Sequence, residues 1–473
     1  MLRTSANRSG RKAPGQVRGG PVATAECEPV AGGLAAALYR SSCVWPRMRS
    51  TVSRDHNTSG SEVALTEVRA WAQESPLVRE WAVDGGEWEH PTEPVCAHAL
   101  IGEAGGNEPS VGGWGRGMTS AEALIAAIGE AVERYSASRA PATGFVHGSR
   151  RELGEPCVDP VGFCLYDHDR YREPGFPYGR FEPDRRLEWV AGVRVDGEPV
   201  LVPADLALLR SARDQGGLCE PTSNGLAAGL SFEDAAMRAL AELCERDALL
   251  TCWLAQRPAT RVVLQPTADN IVTRVEGELE RLGATMELYA LDTVGCFQTA
   301  LCLTFGDSTS WPGAVATLAA RHDLGRAVEA AVLEHAQVGA YLREILRRGT
   351  YLVPRSAADV LTPIDHALHY FPATRATAFD FLRKCDTAIR IDEATPFDRP
   401  SLRDAAATMA DHAMSPVLVD VTSPQVAGSP FRVVRALATG SQPLYFDERY
   451  RRIAEGRIGM AAAAVNPAPH PIG

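Results

Sequence analysis

Two segments of this chain carry glutamate and arginine side chains at the same spacing. Residues 117–136 read GMTSAEALIAAIGEAVERYS and residues 229–248 read GLSFEDAAMRALAELCERDA, and both contain E-x-x-E-R. Carboxylate oxygens are the ligands that Mg²⁺ prefers, Mg²⁺ commonly shares its coordination sphere with substrate phosphates, and arginine also binds phosphate. The repeated residue types therefore indicate a site for a nucleotide held through a metal ion. The candidate side chains are Glu130, Glu133, Arg134, Glu242, Glu245 and Arg246.

The spacing places each set of charged residues on one side of a helix. At about 100° per residue, Glu122, Glu130 and Glu133 share one side of the first helix, and apolar residues lie opposite. The second segment repeats this layout, with Asp234 and Arg238 ahead of its E-x-x-E-R. For a single helix, this pattern is typical of an amphipathic helix that shows its charges to water. Agreement between two segments at the same positions favours a shared site instead.

A third helix is predicted at residues 326–346, where Glu334 and Gln337 take the matching places. Carboxylates that face one another across a cleft repel unless a cation or an extra proton lies between them. The sequence has no G-x-x-x-x-G-K-[ST] motif, no set of protein-kinase motifs and no G-x-G-x-x-G that opens a helix after a strand. If ATP binds, the acidic helices must therefore do the work of a phosphate-binding loop.

The motifs around these helices resemble those of the YcaO family, whose members use ATP to modify peptide backbones. The first helix and its lead, GRGMTSAEALIAAIGEAVER, are similar to the family pattern G-K-G-x-T-x-x-x-A-x-x-S-A-x-G-E-x-x-E-R. The second, SNGLAAGLSFEDAAMRALAELCERD, is similar to S-N-G-x-A-x-G followed by E-E-A and E-x-x-E-R-D. Short segments within residues 188–206, 333–337 and 417–444 also match the family pattern, so the resemblance covers about residues 62 to 473.

The resemblance implies a mixed α/β domain of the YcaO type, with an internal pseudo-repeat and acidic helices that line a cleft for ATP and Mg²⁺. It assigns five carboxylates to the metal: Glu130, Glu133, Glu242, Glu245 and Glu334. It assigns these five to the nucleotide as well, together with Arg116, Arg134, Ser223, Asn224, Asp234, Arg246 and Gln337.

Four matched positions depart from the family pattern. Arg116 stands where Lys is usual, Ala126 where Ser is usual, Leu230 where Asn is usual and Asp234 where Glu is usual. Arginine keeps the charge of lysine but changes the donor geometry. Aspartate has a shorter reach than glutamate, and alanine removes a hydroxyl that could touch the nucleotide or the metal.

The chain ends in a proline-rich tail, NPAPHPIG at residues 466–473. Such a segment is typical of an extended polyproline-type chain without fixed structure. The P-x-P-x-P pattern also resembles the ending of YcaO members that form azoline rings, in which the tail enters the active site. A stiff rod can place a terminal carboxylate at little entropic cost. On that interpretation the Gly473 carboxylate, or His470 beside Pro471, is the catalytic base; the alternative makes His470 an ordinary tail residue.

The resemblance leaves three functions open. The first is an ATP-dependent cyclodehydratase that converts Cys, Ser or Thr of a ribosomally made precursor peptide to thiazoline or oxazoline, as in bacteriocin biosynthesis, and the tail favours it. The second keeps ATP activation of a backbone amide but forms a thioamide or a macrocyclic amidine. The third is a non-enzymatic, peptide-binding accessory protein that retains the acidic repeat as an element of the fold.

Substrate recognition is predicted to need a second protein. No segment resembles a leader-peptide-binding winged helix or an E1-like module, and family members without one usually rely on a partner. We therefore expect a separate E1-like protein that binds the leader of the precursor peptide. The family also makes a homodimer possible.

The composition narrows the class of protein. The net charge of −11 and the pI of about 5.6, with no dominant basic patch, argue against a nucleic-acid-binding protein. No apolar run approaches the roughly 18 residues of a membrane span. The eleven cysteines include no C-x-x-C pair, which predicts free thiols in a reducing compartment and no structural zinc. Together these features predict a cytoplasmic protein without a membrane or nucleic-acid partner.

Three regions are predicted along the chain. Residues 1–60 are rich in Gly, Ser, Ala and Pro and begin with basic residues. They are predicted to be disordered, to lie upstream of a true start at Met48, or to form a targeting segment. Residues 61–465 are predicted to form one YcaO domain, because no later stretch looks like a linker, and residues 466–473 form the tail that reaches the active site.

Within the predicted domain, long helices alternate with short strands, which indicates the mixed α/β class. Residues 62–81 are predicted to be helical with a break at Pro76, and residues 156–186 to form a surface excursion. Strands are predicted in three places, namely residues 188–202 as a pair joined at an Asp-Gly turn, residues 285–304 and residues 416–421.

Overall fold

The computed structural model of the protein describes most of the predicted domain and the whole tail. The described ranges are residues 58–84, 94–103, 110–210, 216–264, 271–391 and 400–473. The extension predicted at residues 1–60 therefore lies almost wholly outside the described residues.

Helices and strands alternate along the chain, so the fold is mixed α/β, as predicted. The strands are β1 (Val78–Asp84), β2 (Val95–Ile101), β3 (Val111–Gly117), β4 (Val146–Ser149), β5 (Arg186–Arg194), β6 (Pro199–Pro203), β7 (Leu226–Gly229), β8 (Thr260–Leu264), β9 (Thr285–Leu291), β10 (Gln298–Phe305), β11 (Ala314–Arg321), β12 (Ala388–Ile391), β13 (Ser415–Asp420) and β14 (Arg432–Thr439). The α-helices are α1 (Thr58–Glu74), α2 (Ser120–Ala137), α3 (Arg150–Leu153), α4 (Ala204–Ala207), α5 (Phe232–Ala255), α6 (Ile271–Arg281), α7 (Leu324–Arg348), α8 (Pro363–His369), α9 (Leu402–Ala410) and α10 (Glu455–Ile458).

The described strands form three sheets. The first is antiparallel, with the order β1-β2-β3. The second has the order β4-β5-β13-β14-β7, with β6 paired to β5, and all of its pairs are antiparallel. The third has the order β11-β10-β9-β8-β12, in which β8 and β12 run parallel. The strands β3, β7 and β11 therefore each lie at the outer edge of a different sheet.

Each of these outer strands is followed directly by one of the three acidic helices. Helix α2 follows β3, α5 follows β7 and α7 follows β11. An outer strand presents backbone N–H and C=O groups that no neighbouring strand pairs. The chain order therefore brings each acidic helix next to backbone donors that remain available.

The two repeated helices begin in the same way. The Thr119 hydroxyl accepts a hydrogen bond from the Glu122 N–H, and the Glu122 carboxylate accepts one from the Thr119 N–H, which is a capping box. At the start of α5, the Ser231 hydroxyl accepts from the Asp234 N–H at 3.1 Å. Matched residues of the repeat thus make the same kind of helix start.

The apolar sides of these helices pack into the core and fix their rotation. On α2, Leu124, Ile128 and Val132 are fully buried between the helix and the first two sheets. On α5, Leu240 and Leu243 pack with residues of the second sheet. Because the apolar sides pack into the core, the glutamates lie on other sides of the helices, where they meet the outer strands of the sheets.

Strand β3 packs closely on α2 because alternate residues on one of its sides are glycine. A Cβ atom at Gly115 would collide with backbone atoms of Ala123 and Ala127, and one at Gly113 would collide with the Ala127 carbonyl oxygen. Side chains on this side of the strand are therefore excluded. The other side of β3, which carries Arg116, is brought next to the acidic helices.

The predicted strands are confirmed. Strands β5 and β6 flank the Asp196-Gly197 turn, where Gly197 has a φ of 92° that favours glycine. Strands β9 and β10 lie within residues 285–304 and the residue after them, and β13 covers the third predicted place.

Two details of the sequence prediction are wrong. Residues 62–81 are not one broken helix, because α1 ends at Glu74 and β1 begins at Val78. The Ser-Pro pair ends the helix, and the alternating sequence VREWAVD then pairs with β2. Residues 156–186 are irregular, yet they are not a mere surface excursion, since they bury four aromatic side chains: Phe163, Tyr166, Tyr178 and Phe181.

The described part of the chain bears on the expectations about membrane spans and about cysteines. None of its helices combines the length and the apolar character needed to cross a bilayer. The cysteines within it carry free thiols, as predicted. Several of them are buried, and burial raises the pKa of Cys157 to about 11, so that this thiol stays protonated.

We expect Gly115→Ala to lower the free energy of unfolding by about 1–3 kcal/mol, because the new methyl group would collide with backbone atoms of α2. Gly277 in α6 offers a matched control, since a Cβ atom there meets nothing within 4 Å. Gly277→Ala should raise the free energy of unfolding by up to about 1 kcal/mol through helix propensity. Urea denaturation measures both changes, and a Gly115→Ala variant as stable as the parent would contradict the close packing.

Candidate nucleotide and metal site

Helix α2 contributes two carboxylates, and each accepts a hydrogen bond from a strand backbone. The Trp114 N–H on β3 donates to Glu130 Oε2 at 2.6 Å, and Arg134 pairs with Glu130 Oε1 at 2.5 Å. The Ala228 N–H on β7 donates to Glu133 Oε2 at 3.1 Å. The outer strands of two sheets therefore fix the orientation of both glutamates.

Helix α5 contributes the second pair of carboxylates. The Ala320 N–H on β11 donates to Glu245 Oε2 at 2.7 Å, and Arg246 lies 3.0 Å from Glu245 Oε1. Glu245 is buried, and Glu242, one turn earlier, lies close enough to Glu245 and Glu334 to feel their charges. Helix α5 is thus tied to the third sheet as α2 is tied to the second.

Helix α7 is joined to the site through Arg116 of β3. The Arg116 guanidinium donates from Nη2 to Glu334 Oε2 and from Nη1 to Gln337 Oε1, both at 2.9 Å. The side chains of Arg116 and Glu334 are 31% and 23% exposed, so this contact lies at the accessible edge of the cluster. The predicted third helix therefore meets the first two at the same place.

Burial raises the pKa values of the glutamates on α2 and α5. The pKa of Glu133 rises well above its usual value because the group is buried and because Glu242 and Glu130 lie nearby. Burial raises the pKa of Glu242 to about 7; Arg246 opposes the rise and Glu245 adds to it. The pKa values of Glu130 and Glu245 are raised by burial in the same way. Each of these acids therefore makes ionisation of its neighbours less favourable.

The donor set fits a hard divalent cation together with an anionic ligand. Burial and mutual repulsion make the ionised form of these carboxylates unfavourable unless a cation lies beside them. Asn224 Oδ1 is buried without a hydrogen-bond partner among the described residues, and its neighbour Gly225 lies against Leu243 of α5. Oxygen donors of this kind are the ligands of Mg²⁺, and the arginines around them suit phosphate.

A family model described as YcaO cyclodehydratase, ATP- and Mg²⁺-binding, matches residues 114–442. The chain belongs to the YcaO family. The matched residues include both E-x-x-E-R segments together with Glu334 and Gln337. ATP and Mg²⁺, the predicted cofactors, are those of the family.

Solved structures share the fold at low sequence identity. YcaO from Methanopyrus kandleri, bound with AMPPCP and Mg²⁺, has a TM-score of 0.59 and 22% identity, over 83% of this chain and 94% of that one. A heterocyclase in complex with substrate and cofactor has a TM-score of 0.66 and 16% identity, over 87% of this chain and 57% of that one. The E. coli microcin synthetase McbBCD complex with pro-MccB17 bound contains a chain with a TM-score of 0.57 and 14% identity, over 83% of this chain and 95% of that one.

A curated relative is known only as an uncharacterized protein of Methanothermobacter thermautotrophicus. It is 30% identical over 184 residues, which are 37% of this chain and 43% of the relative. The chain therefore matches less than half the length of that protein.

Two further predicted contact residues of this YcaO protein lie at the edges of the cluster. Ser223 lies in the turn before β7, where its carbonyl oxygen accepts from the Leu226 N–H at 2.9 Å. Asp234 lies in the first turn of α5, where its carboxylate accepts from the Leu230 N–H at 3.3 Å and pairs with Arg238 at 3.0 Å. Asp234 lies about two helical turns before Glu242 and serves the start of the helix in these contacts.

Arg435 was not predicted as a site residue; it lies on β14, which packs against α2 and α5. Its side chain is buried, and Nη2 donates to the carbonyl oxygens of Thr222 at 2.7 Å and Leu206 at 3.2 Å. Nε and Nη1 have no hydrogen-bond partner among the described residues, and the charge of Arg435 acts on Glu242 and Glu133. The second of the two arginines in the otherwise apolar run FRVVRALA is the signal that could have revealed this buried cation.

Arg321 at the end of β11 was also missed. Its charge acts on Glu245 and on Glu334, and it lies near Arg116. It directly follows Ala320, whose N–H binds Glu245. The sequence offers no spacing that would link this strand end to the E-x-x-E-R segments.

The C-terminal tail is packed into the protein. Residues 469–472 are buried, whereas Gly473 is exposed. Trp253 of α5 donates from Nε1 to the Ala468 carbonyl oxygen at 2.9 Å, and the Tyr370 hydroxyl donates to the Pro469 carbonyl oxygen at 2.5 Å. The tail thus runs along the same helix that carries Glu242 and Glu245.

His470 is held in a single orientation inside the tail. Its ring is fully buried, and Nε2 donates to the Tyr445 carbonyl oxygen at 2.6 Å, so the lone pair lies on Nδ1. Burial, with the nearby His366 and Arg246 adding to it, lowers the pKa of His470 well below its usual value. The influence of Arg246 shows that the tail passes within electrostatic reach of the acidic cluster.

We expect Glu242 to stabilise the folded, ligand-free protein below about pH 4.5, and this contribution to be lost as the pH rises to about 7. The folded protein holds a proton on Glu242, whose pKa is about 7, while the unfolded chain releases it near 4.5. Mg²⁺ needs the ionised carboxylate, so the increase in melting temperature with Mg²⁺ and AMPPCP should grow as pH rises through about 7.

Thermal unfolding across this pH range, with and without both ligands, checks this expectation. Glu242→Gln cannot ionise, so the difference in stability between the parent and this variant separates the contribution of Glu242 from that of buried histidines such as His335 and His470, whose lowered pKa values act in the opposite direction. A stabilisation by Mg²⁺ and AMPPCP that is the same at every pH in the parent would contradict it.

Proposed function

We propose that this YcaO protein is an ATP-dependent cyclodehydratase that converts Cys, Ser or Thr of a ribosomally made precursor peptide to thiazoline or oxazoline. The observation that carries the proposal is the convergence of carboxylates and arginines from α2, α5 and α7 on one place. The heterocyclase with substrate and cofactor and the microcin synthetase with pro-MccB17 share the fold and support this choice of reaction.

The reaction needs help with its leaving group. A Cys, Ser or Thr side chain attacks the preceding backbone carbonyl, and the tetrahedral oxyanion collapses back because hydroxide is a poor leaving group. ATP, when bound with Mg²⁺, supplies the phosphoryl group that turns this oxygen into a leaving group. The task of the protein is to place charge around the phosphates and to remove two protons, one from the nucleophile and one from the amide nitrogen.

The acidic helices supply the metal and phosphate contacts in this proposal. The carboxylates that hold Mg²⁺ are Glu130, Glu133, Glu242, Glu245 and Glu334. The groups that bind the nucleotide with them are Arg116, Arg134, Ser223, Asn224, Asp234, Arg246 and Gln337. Arg435 lies behind these groups, where its buried charge favours the ionised forms of Glu133 and Glu242. Arg116 already binds Glu334 and Gln337, so it is placed to join a phosphate to α7.

The tail supplies the base in this proposal. Gly473 is exposed at the end of a buried segment, which supports its terminal carboxylate as the group that takes the proton. The ring of His470 is buried with one nitrogen committed to Tyr445, so this residue acts with Pro471 by holding the chain end in place. The domain in this proposal spans residues 61–465. The packing of residues 466–473 beside α5 supports a functional role for this tail.

We also propose a separate E1-like partner that binds the leader of the precursor peptide. The microcin synthetase with pro-MccB17 bound is a complex named for three components, which supports an assembly of this kind. Neighbouring genes for a short precursor rich in Cys, Ser and Thr and for an E1-like protein would identify both partners.

Replacing Glu245 by Gln should weaken the binding of AMPPCP with Mg²⁺, and slow ATP consumption, by about two orders of magnitude. The amide oxygen can still accept from the Ala320 N–H, so the variant keeps the fold but loses one charge. Glu233→Gln is the matched control, because Glu233 is exposed in the first turn of the same helix. Isothermal titration calorimetry measures the binding, and equal affinities of the two variants would remove Glu245 from the site.

Extending the chain beyond Gly473 by two glycines should suppress ring formation while the affinity for AMPPCP and the melting temperature stay unchanged. The extension moves the terminal carboxylate away from its place, whereas deletion of the tail would also remove the buried Ile472. Mass spectrometry of the precursor peptide counts the rings through the loss of water. Unchanged ring formation would remove the carboxylate from the mechanism.

The same assay separates the other reactions of the family. Incorporation of sulfur from sulfide, or loss of water between a backbone amide and an amine, would replace the azoline by a thioamide or an amidine. Absence of ATP turnover with the precursor peptide and its partner protein would leave a non-enzymatic accessory protein.

A further inference from the structure

The tail is held by side chains because its prolines cannot hold it by backbone pairing. Proline has no N–H group, so a P-x-P-x-P segment presents mainly carbonyl oxygens as hydrogen-bonding groups. Three successive carbonyl oxygens of the tail each accept from a different buried side chain. The donors are Trp253 Nε1 to Ala468, the Tyr370 hydroxyl to Pro469 and His366 Nδ1 to His470.

His366 is the last of these donors before the chain end. It lies on α8, it is fully buried, and its ring is stacked on the ring of His470 with the centroids 3.9 Å apart. Nδ1 lies 2.7 Å from the His470 carbonyl oxygen, and Nε2 lies 2.9 Å from the Phe446 carbonyl oxygen. Beyond His470, three residues remain before the terminal carboxylate.

Both nitrogens of His366 face acceptors. A carbonyl oxygen can only accept, so a neutral imidazole makes one of these bonds and an imidazolium makes both. Glu448 Oε1 lies 4.0 Å from His366 Nδ1, and Arg451 Nε lies 3.4 Å from Glu448 Oε2. Burial lowers the pKa of His366 and raises the pKa of Glu448 to about 7, so the neutral imidazole is favoured. Of its two possible bonds, the contact with the His470 carbonyl oxygen is the shorter. The other ionisable groups near His366 are Asp365 on the same helix and His369 one turn later.

His366, Glu448 and His470 also have the composition of a zinc site, with ligand atoms within 4.8 Å of one another. A nitrogen that binds a metal must direct a lone pair at it, and both nitrogens of His366 are directed at carbonyl oxygens. Arg451 beside Glu448 adds a positive charge where a cation would bind. The contacts therefore favour a hydrogen-bonding role over a metal-binding role.

We propose that His366 is a positioning residue that latches the C-terminal tail, through donation from Nδ1 to the His470 carbonyl oxygen. This bond fixes the final buried segment and thereby the place of the Gly473 carboxylate. The part that the latch plays in ring formation rests on the proposed function of the tail. The latch itself is a statement about how the tail is held, and it can be measured without catalysis.

Two substitutions of similar size separate the two nitrogens of His366. The amide nitrogen of asparagine reaches about as far as Nδ1, and that of glutamine about as far as Nε2. His366→Asn should keep the bond to His470, whereas His366→Gln should keep only the bond to Phe446. Tyr370→Phe removes the neighbouring donor to Pro469 and serves as a second variant with little change in shape.

Hydrogen exchange of the tail amides, followed by mass spectrometry of the C-terminal peptide, is the measurement. We expect exchange to be roughly fivefold faster in His366→Gln and Tyr370→Phe, as for the loss of one hydrogen bond, and within about twofold of the parent in His366→Asn. Equal exchange in the Asn and Gln variants would overturn the latch. So would stoichiometric zinc in the purified parent that His366→Gln loses.

Ring formation and AMPPCP binding in the same variants show what the latch serves. We expect His366→Gln to lose ring formation at least fivefold with unchanged AMPPCP affinity, and His366→Asn to retain it. If exchange distinguishes the two variants while ring formation does not, the latch stands and the catalytic role of the tail falls. If neither measurement distinguishes them, the latch falls and the proposed function of the acidic helices is untouched.

Discussion

Backbone N–H groups of outer strands hold the glutamates of the site against their mutual repulsion. A hydrogen bond to a charged group stabilises by about 1.5–3 kcal/mol. The donors come from three sheets, since Trp114 lies on β3, Ala228 on β7 and Ala320 on β11. Together with Arg116 they close a ring in which β3, α2, β7, α5, β11 and α7 each contact the next element. The fold thus keeps Glu130, Glu133 and Glu245 together because each of them has its own fixed backbone donor.

Much of this arrangement could be predicted from the sequence, because short motifs encode local geometry. The two E-x-x-E-R segments fix which side of α2 and α5 carries the acids, and the third helix carries Glu334 and Gln337 where expected. The glycines of β3 and the capping residues likewise act within one strand–helix unit. Relations between neighbours in sequence are therefore the part that motif and periodicity can supply.

The remainder depends on contacts between distant segments. Only the packing of separate sheets and helices forms the hydrogen bond from the Ala320 N–H to Glu245. The same is true of the burial of Arg435 on β14. The latch at His366 is of the same kind, since neither α8 nor the tail indicates alone that they meet. A residue inside an apolar strand does not belong to a repeating pattern that would link it to the other residues of the site. Its role depends on tertiary packing.

Three sheets meet at one cluster of carboxylates. The stability of their packing therefore depends on what offsets the repulsion within the cluster. On the proposed function, a divalent ion bound among these carboxylates would offset their repulsion, and binding to the folded state alone would stabilise the domain. The resistance of the domain to proteases would then rise with the supply of nucleotide and magnesium.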